Sequence, residues 1–510
     1  MSVDILGILN DKGVSSRLPV GKDCTTWHEV AEPANGNTDL GQMLVEAVFS
    51  WVYRYRERNN MTLFSAAYLQ VSRMEERFQE AKEVLLMQFQ DLSLNSIDLE
   101  MLWRLLPYLA LLLALWAVYR IAFLPLNRVM DLEDIGWGCL SSQDGKSLAG
   151  KIRRMQKLRK TGDLPASYPN GWFAIAESRN VAAGQVIPVN ALGEALAVFR
   201  STEGEAHVVD AYCPHLGANM AVGGVVKGNS LECPFHGWQF DGTDGACVHI
   251  PNCAKVPRTA TVKKWESREM NGFIFVWYDA ENREPTWEIT EIEEITTNKW
   301  TYRGRTSHEV LAHIQEIPEN GADVAHLLHL HRPNIFKGSD LRDAFADNQV
   351  LDVAQHVWDG EWRARPEPES HTAELKVTHT FALFGGKFKI LSMTVTAEQI
   401  GPGVVHLHLN TSLGSAVLIQ VVTPVEPLRQ KIVHQFYSSS SFIAPYAKFV
   451  LLCEARHLER DIMIWNNKQY KAQPMYVKED RFLKKFRQWY SQFYSENSKQ
   501  FSFRNDSLNW

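Results

Sequence analysis

Two short motifs constrain this chain more than any other feature: Cys213-Pro214-His215 and, after seventeen residues, Cys233-Pro234-Phe235-His236. A single zinc ion accepts two thiolates and two imidazoles, but a zinc finger keeps its cysteines and histidines in separate pairs. Here each motif carries one of each kind. That is the arrangement needed when two loops each give one ligand to each metal of a two-iron cluster. Pro214 and Pro234, with Gly217, Gly237 and Gly242, suit stiff turns that present backbone N–H groups to bridging sulfides. Seven cysteines in 510 residues are too few for a disulfide scaffold, and the odd count leaves one unpaired. Cys247 and Cys253 are read as ordinary small buried residues, because four ligands suffice.

With Cys213 and Cys233 on one iron and His215 and His236 on the other, the pattern resembles the Rieske [2Fe–2S] proteins, in which two histidines replace two cysteines. Rieske proteins of respiratory complexes add a disulfide between the cluster loops. Ala218 and Phe235 occupy the corresponding positions here, so the likeness is to the oxygenase and ferredoxin type.

A cluster domain alone could be only an electron carrier. The deciding segment is Glu319 to His331, ENGADVAHLLHLH, which resembles the E/D-x3-D-x2-H-x4-H motif of Rieske non-haem iron oxygenases. The resemblance implies His326 and His331 as ligands of a mononuclear Fe(II), with a later carboxylate completing a facial triad that leaves positions open. Residues five apart lie about 140° from each other on a regular helix, so the helix should end or bulge between them. His329 pairs better with His326 by helical spacing, and the family pattern makes it packing. Asp323 matches the family acid that hydrogen-bonds a ligand histidine and bridges toward a neighbouring subunit's cluster. The third ligand is read as Asp461, with Glu459 and Glu454 as alternatives; the competing role for Asp461 is a surface ion pair with Arg460 or Lys468.

The run Leu105–Leu126 is apolar except for Arg120, and a spanning helix needs about 20 such residues. Pro107 falls in its expected first turn, and Trp103, Tyr108, Trp116 and Tyr119 suit an interface belt. Arg104 precedes it, while Arg128 and Lys146 follow it, then Lys151, Arg153, Arg154, Lys157, Arg159 and Lys160, a bias that predicts a cytosolic body beside anionic lipid. Asn60-Met61-Thr62 would be a sequon if the N-terminal part were lumenal.

The expected architecture is α+β: a mostly helical region 1–104 with a charged helical stretch over Leu44–Gln90, a membrane-anchor helix 105–126, and a basic linker 127–167. An all-β Rieske domain 168–280 and a helix-grip type catalytic domain 281–510 with an antiparallel sheet follow. Short β-rich runs at Trp172–Ala176, Ala195–Phe199, His207–Asp210 and Gly272–Tyr278 support the first of these. Glu309–Leu330 reads as mostly helical. Alternating segments at Leu375–Phe384, Lys389–Thr396, Val404–Leu413 and Ala416–Val422 read as antiparallel strands, and Pro445–Tyr470 and Glu479–Ser495 as helices. Phe381, Phe384, Phe388 and Met393 are candidate walls of an apolar pocket.

Over about residues 168–470 the likeness narrows further, through Tyr168-Pro169-Asn170-Gly171-Trp172, His236-Gly237-Trp238-Gln239-Phe240, Gly272-Phe273-Ile274-Phe275-Val276-Trp277 and Gln315-Glu316-Ile317-Pro318-Glu319-Asn320. Together with the apolar segment these resemble the Neverland family of animal cholesterol 7-desaturases, related to bacterial 3-ketosteroid hydroxylases. The resemblance implies conversion of cholesterol to 7-dehydrocholesterol with O2 for steroid hormone synthesis, a single-pass membrane protein of the endoplasmic reticulum, and a homotrimer. Electrons would come from NAD(P)H through an external reductase, since no GxGxxG-type nucleotide site is present. A steroid hydroxylase would use the same ligands; an electron carrier would lack the second iron. The formal charge of −6 is too small to predict a nucleic-acid partner.

Overall fold

The computed structural model describes residues 99–137, 140, 147–158, 161–347, 351–384 and 387–501. The helical stretch expected over Leu44–Gln90, the sequon at Asn60, and Lys146, Arg159 and Lys160 lie outside these. Leu111–Trp510 forms one compact unit.

Its centre is an eight-stranded sheet. The strands are β1 (Leu126–Met130), β2 (Thr301–Leu311), β3 (Ala354–Ala364), β4 (Thr372–Leu383), β5 (Phe388–Ile400), β6 (Val404–Thr411), β7 (Gly414–Glu426) and β8 (Arg429–Ser438). Their order is β1-β2-β8-β7-β6-β5-β4-β3, antiparallel throughout except for the parallel pair β1 and β2. The alternation in the C-terminal half thus becomes the long meander β3–β8. β7 is buried along nearly its whole length because both faces of the sheet are covered.

A long helix covers one face. Six helices matter here: α1 (Leu99–Ala122), α2 (Leu148–Leu158), α3 (Glu316–Ala322), α4 (Val324–His329), α5 (Ala444–Trp465) and α6 (Arg481–Tyr490). In α5 the buried positions Ala447, Leu451, Ala455, Leu458, Ile462 and Trp465 recur at helical spacing and form the stripe that meets the sheet. Phe442, Ala447 and Leu451 pack with Leu418 and Phe436 of β7 and β8.

Three small sheets form the β domain: Gly171–Glu177 with Ser267–Met270 and Phe273–Tyr278, a meander over Val186–Asp210, and four three-residue strands between Val225 and His249. Phe273–Tyr278 is buried on both faces. Ile274, Val276 and Tyr278 pack with Val310 and Ile314, while Phe273, Phe275 and Trp277 pack with Ile400, Val404 and Val417. Each such aromatic stabilises by roughly 2–3 kcal/mol, so this strand fastens the β domain to the large sheet.

Three expectations change. Glu309–Leu311 belongs to β2, and helix begins only at Glu316. The apolar segment forms α1, but the helix begins at Leu99 and ends at Ala122, which leaves Pro107 in its interior rather than its first turn. Leu126 starts a strand whose backbone lies so close to Gly304 (φ +146°) that a Cβ there would meet the Leu126 carbonyl at 2.4 Å. Among the described residues no helix is long and apolar enough to cross a membrane. The segment expected to be a basic linker contains α2, whose Ile152 is buried against Trp137 and Leu311.

Candidate functional site

The two cysteine–histidine loops are built alike. The Cys213 N–H donates to the Ala218 carbonyl (2.9 Å) and the Cys233 N–H to the Trp238 carbonyl (2.7 Å). Gly217 and Gly237, at φ +73° and +72°, donate back to the carbonyls of Cys213 and Cys233 at 2.9 and 3.1 Å. Both glycines therefore close a turn in the left-handed region, which few other residues adopt cheaply. Gly242 instead lies against the His207 ring.

Cys213 and Cys233 are buried, while His215 and His236 are exposed with ring centroids 4.6 Å apart. The Trp238 indole stacks on His215 at 4.6 Å. Burial pushes the Cys213 thiol up to about 11, with Cys233 beside it, so a positive centre is needed to hold Cys213 as a thiolate. The groups among the described residues whose ligand atoms close within 4.8 Å, as one ion requires, lie elsewhere. A two-iron cluster fits the tetrad, which divides into a buried sulfur pair and an exposed imidazole pair. Cys253 is exposed, contrary to its reading as a buried residue, because it lies in a turn beyond the sheet.

The second group lies at the other end of the molecule's logic, inside a cavity. The backbone breaks between α3 and α4 at Asp323 (φ −98°, ψ 79°). Its carboxylate accepts from the His326 backbone N–H at 3.1 Å, and its carbonyl accepts from the His326 Nδ1–H. That contact fixes the tautomer and leaves Nε2 to face inward. The ring partner is thus the Asp323 carbonyl, while the carboxylate caps α4. α4 ends at His329, which is what allows His331 to return to the same side as His326. His331 Nε2 stands 3.2 Å and His326 Nε2 4.0 Å from Asp461 Oδ1. The three ligand atoms lie within 4.8 Å of one another, and Asp461 Oδ1 is buried with no hydrogen-bond partner. This donor set fits a divalent iron with open positions. Burial holds His326 below its ordinary value, in the neutral form that ligates.

The alternatives separate cleanly. Glu459 is fully buried on another side of α5, paired with Arg128 (2.6 Å) and Arg456 (2.8 Å). Burial opposes its charge, yet His308 and Arg128 hold its carboxyl down to about 2. Glu454 lines the cavity beside the triad, and burial raises it. Arg460 donates to the carbonyls of Pro333, Asn334 and Gly338, and Lys468 pairs with Glu316, so neither claims Asp461. His329 is exposed and stacks on Phe345.

The cavity measures about 300 Å³, is mainly apolar, and is walled by Leu375, Val377, Phe381, Met393, Val395 and Leu407. Phe384 and Phe388 are 57% and 61% exposed at the hairpin turn and do not line it. A set of imidazoles beside the triad carries no signal in sequence spacing. His356 and His379 come from neighbouring strands with ring nitrogens 2.7 Å apart, and His457 lies 4.8 Å from His331 by ring centroids. Burial lowers His356 to about 3 and His379 to about 4. These rings are uncharged and suit an uncharged guest.

Comparison with known proteins agrees with this geometry. Residues 171–265 match the Rieske [2Fe-2S] domain family and residues 276–494 the 3-ketosteroid 9alpha-hydroxylase C-terminal domain family. The chain is 46% identical over 400 residues to the cholesterol 7-desaturase nvd of Xenopus laevis, covering 78% of this chain and 87% of that protein. It is 40% identical over 411 residues to the cholesterol 7-desaturase of Caenorhabditis elegans, covering 78% and 95%. A solved structure of a Pseudomonas putida CBB5 NdmA mutant with caffeine matches at 18% identity and a TM-score of 0.48, covering 69% of this chain and 99% of that one. From its similarity to the two desaturases across most of both sequences, the chain belongs to the cholesterol 7-desaturase family of Rieske-domain proteins.

Proposed function

We propose that the protein is a sterol 7-desaturase that converts cholesterol to 7-dehydrocholesterol, removing one hydrogen from C7 and one from C8. The balance is sterol, O2, NAD(P)H and a proton in, and desaturated sterol, NAD(P)+ and two waters out. The observation that carries this reading is the mainly apolar cavity opening on His326, His331 and Asp461, in a chain whose relatives bear that activity in their names. General acids and bases cannot remove hydrogen from an unactivated ring carbon. Bound iron would supply the O2 chemistry that does so, and the chain's own groups orient the sterol and exclude water.

In this reading Cys213, Cys233, His215 and His236 hold the cluster, His326, His331 and Asp461 hold the mononuclear iron, and Asp323 positions His326. Electrons arrive from NAD(P)H through a separate reductase. Exposed Tyr212, Leu216 and Phe235 surround the cluster histidines, which supports docking of that tip on a neighbouring subunit of a homotrimer or on the reductase. Membrane attachment at the endoplasmic reticulum belongs to the same proposal. Leu109, Leu113, Trp116 and Ile121 of α1 are all more than half exposed, and Lys448 of α5 donates to the carbonyls of Arg120 and Ile121 at 2.7 and 2.6 Å. Exposed apolar surface of this kind supports contact with lipid, beside the helix that carries the cavity residues Tyr446, Phe449 and Val450.

The match of residues 276–494 to a hydroxylase family favours one alternative, hydroxylation of a steroid by the same residues. Incubating the holoprotein with a sterol panel, a reductase and NADPH separates them. 7-Dehydrocholesterol from cholesterol is the expected product; a hydroxysterol alone would sink the desaturase reading.

A further inference from the structure

Strand alternation places a second set of metal-type ligands on the opposite side of the sheet from the cavity. Val405, Leu407 and Leu409 of β6 line the cavity, so His406 and His408, between them, point the other way. Glu398 of β5 is in direct register with His406, and Thr396 with His408, which brings the carboxylate onto the same face as the two imidazoles. The ligand atoms of Glu398, His406 and His408 all lie within 4.8 Å of one another, and the two rings are 6.3 Å apart by centroids.

His406 is the decisive residue. It is completely buried, and neither ring nitrogen has a hydrogen-bond partner. Its cross-strand neighbour on β7 is Ile419, part of the cluster with Trp172, Phe273 and Phe275. Leaving an imidazole unpartnered in such surroundings is costly, and buried polar side chains in folded proteins are nearly always satisfied. Two imidazoles and a carboxylate supply the donors that zinc and similar divalent ions prefer. Arg365 Nη1 already holds Glu398 Oε1 at 2.7 Å, so the ion would bind the carboxylate alongside that pair.

We propose that Glu398, His406 and His408 form a second divalent metal site, of the type that suits zinc, distinct from the His326–His331–Asp461 centre. Bound there, the ion ties β5 to β6 on the face that the β domain covers. Three protein ligands leave a coordination position for water.

The test uses the full-length protein with its cluster and mononuclear iron in place, equilibrated with micromolar zinc chloride, desalted and measured for metal content. The expected result is one zinc per chain above the iron. That zinc persists in His326→Ala and is lost in both His408→Gln and Glu398→Gln, while the visible spectrum of the cluster stays unchanged and reports an intact fold. Zinc absorption spectroscopy should show two imidazoles on the bound ion. Absence of the extra zinc from the unmodified protein would overturn the proposal, and so would its retention in both ligand variants. Its loss in His326→Ala alone would overturn it too, by assigning the zinc to the catalytic triad.

Discussion

The two candidate iron sites are assembled in opposite ways. The cluster loops draw all four ligands from Cys213–His236, present the histidines to solvent and bury the cysteines. The triad draws one ligand from a short helix, one from the turn that follows it and the third from α5, well over a hundred residues later, and encloses all three against a cavity. An electron-transfer centre needs an edge that a partner can approach. A centre that attacks a C–H bond needs its surroundings dry. The difference in exposure thus matches a division of labour, and mutations can break that division on either side.

The largest expected effects remove one site and spare the other. His326→Ala should abolish turnover and lower iron from about three per chain to about two, with the Rieske absorption and EPR signals intact. Cys213→Ser should also abolish turnover, but by losing the cluster signals; the two iron counts together test the separation. Full activity of His326→Ala would refute the catalytic assignment.

Asp461→Ala and Glu459→Gln sharpen the comparison within α5. The first should lose the mononuclear iron and nearly all turnover. The second should keep the iron but destabilise the fold by about 3 kcal/mol, the low end for a broken buried pair because Arg128 reaches solvent; denaturant midpoints measure this. Loss of iron in Glu459→Gln with Asp461→Ala unaffected would reverse the ligand assignment.

Asp323→Ala should retain iron with little turnover, alongside about 1 kcal/mol from the lost helix cap. Loss of iron instead would reduce Asp323 to a structural role. The smallest effect belongs to the hairpin: Phe384→Ser should leave turnover within about twofold, whereas Met393→Trp should raise the sterol KM by filling the cavity. Equal losses from both would show that the hairpin turn contacts the substrate.

The same contrast explains what was legible in the sequence. The cluster loops are local, so the identity and spacing of Cys213, His215, Cys233 and His236 carry their chemistry, and the paired glycines even encode the turns. For the triad, His326 and His331 were legible by motif. Asp461 was favoured by the resemblance, but separating it from Glu459 on physical grounds required knowing which side of α5 meets the cavity, and that is fixed by packing on the sheet. His356 and His379 were not legible, because cross-strand register joins them from positions 23 residues apart. The alternating segments gave the meander β4–β7, but Phe384 and Phe388 fall in its turn, where alternation no longer assigns a face. Nor could hydropathy show that the apolar segment stops at Ala122: the pairing of β1 with β2 depends on Gly304, far away in the chain.

The most direct test of the central claim follows the atoms. Cholesterol deuterated at C7 and C8 is turned over under 18O2 with reductase and NADPH, and the sterol products are analysed by mass spectrometry. The prediction is 7-dehydrocholesterol that has lost one deuterium from each carbon and contains no 18O. A hydroxysterol carrying 18O and retaining the C8 deuterium as the sole product would contradict it.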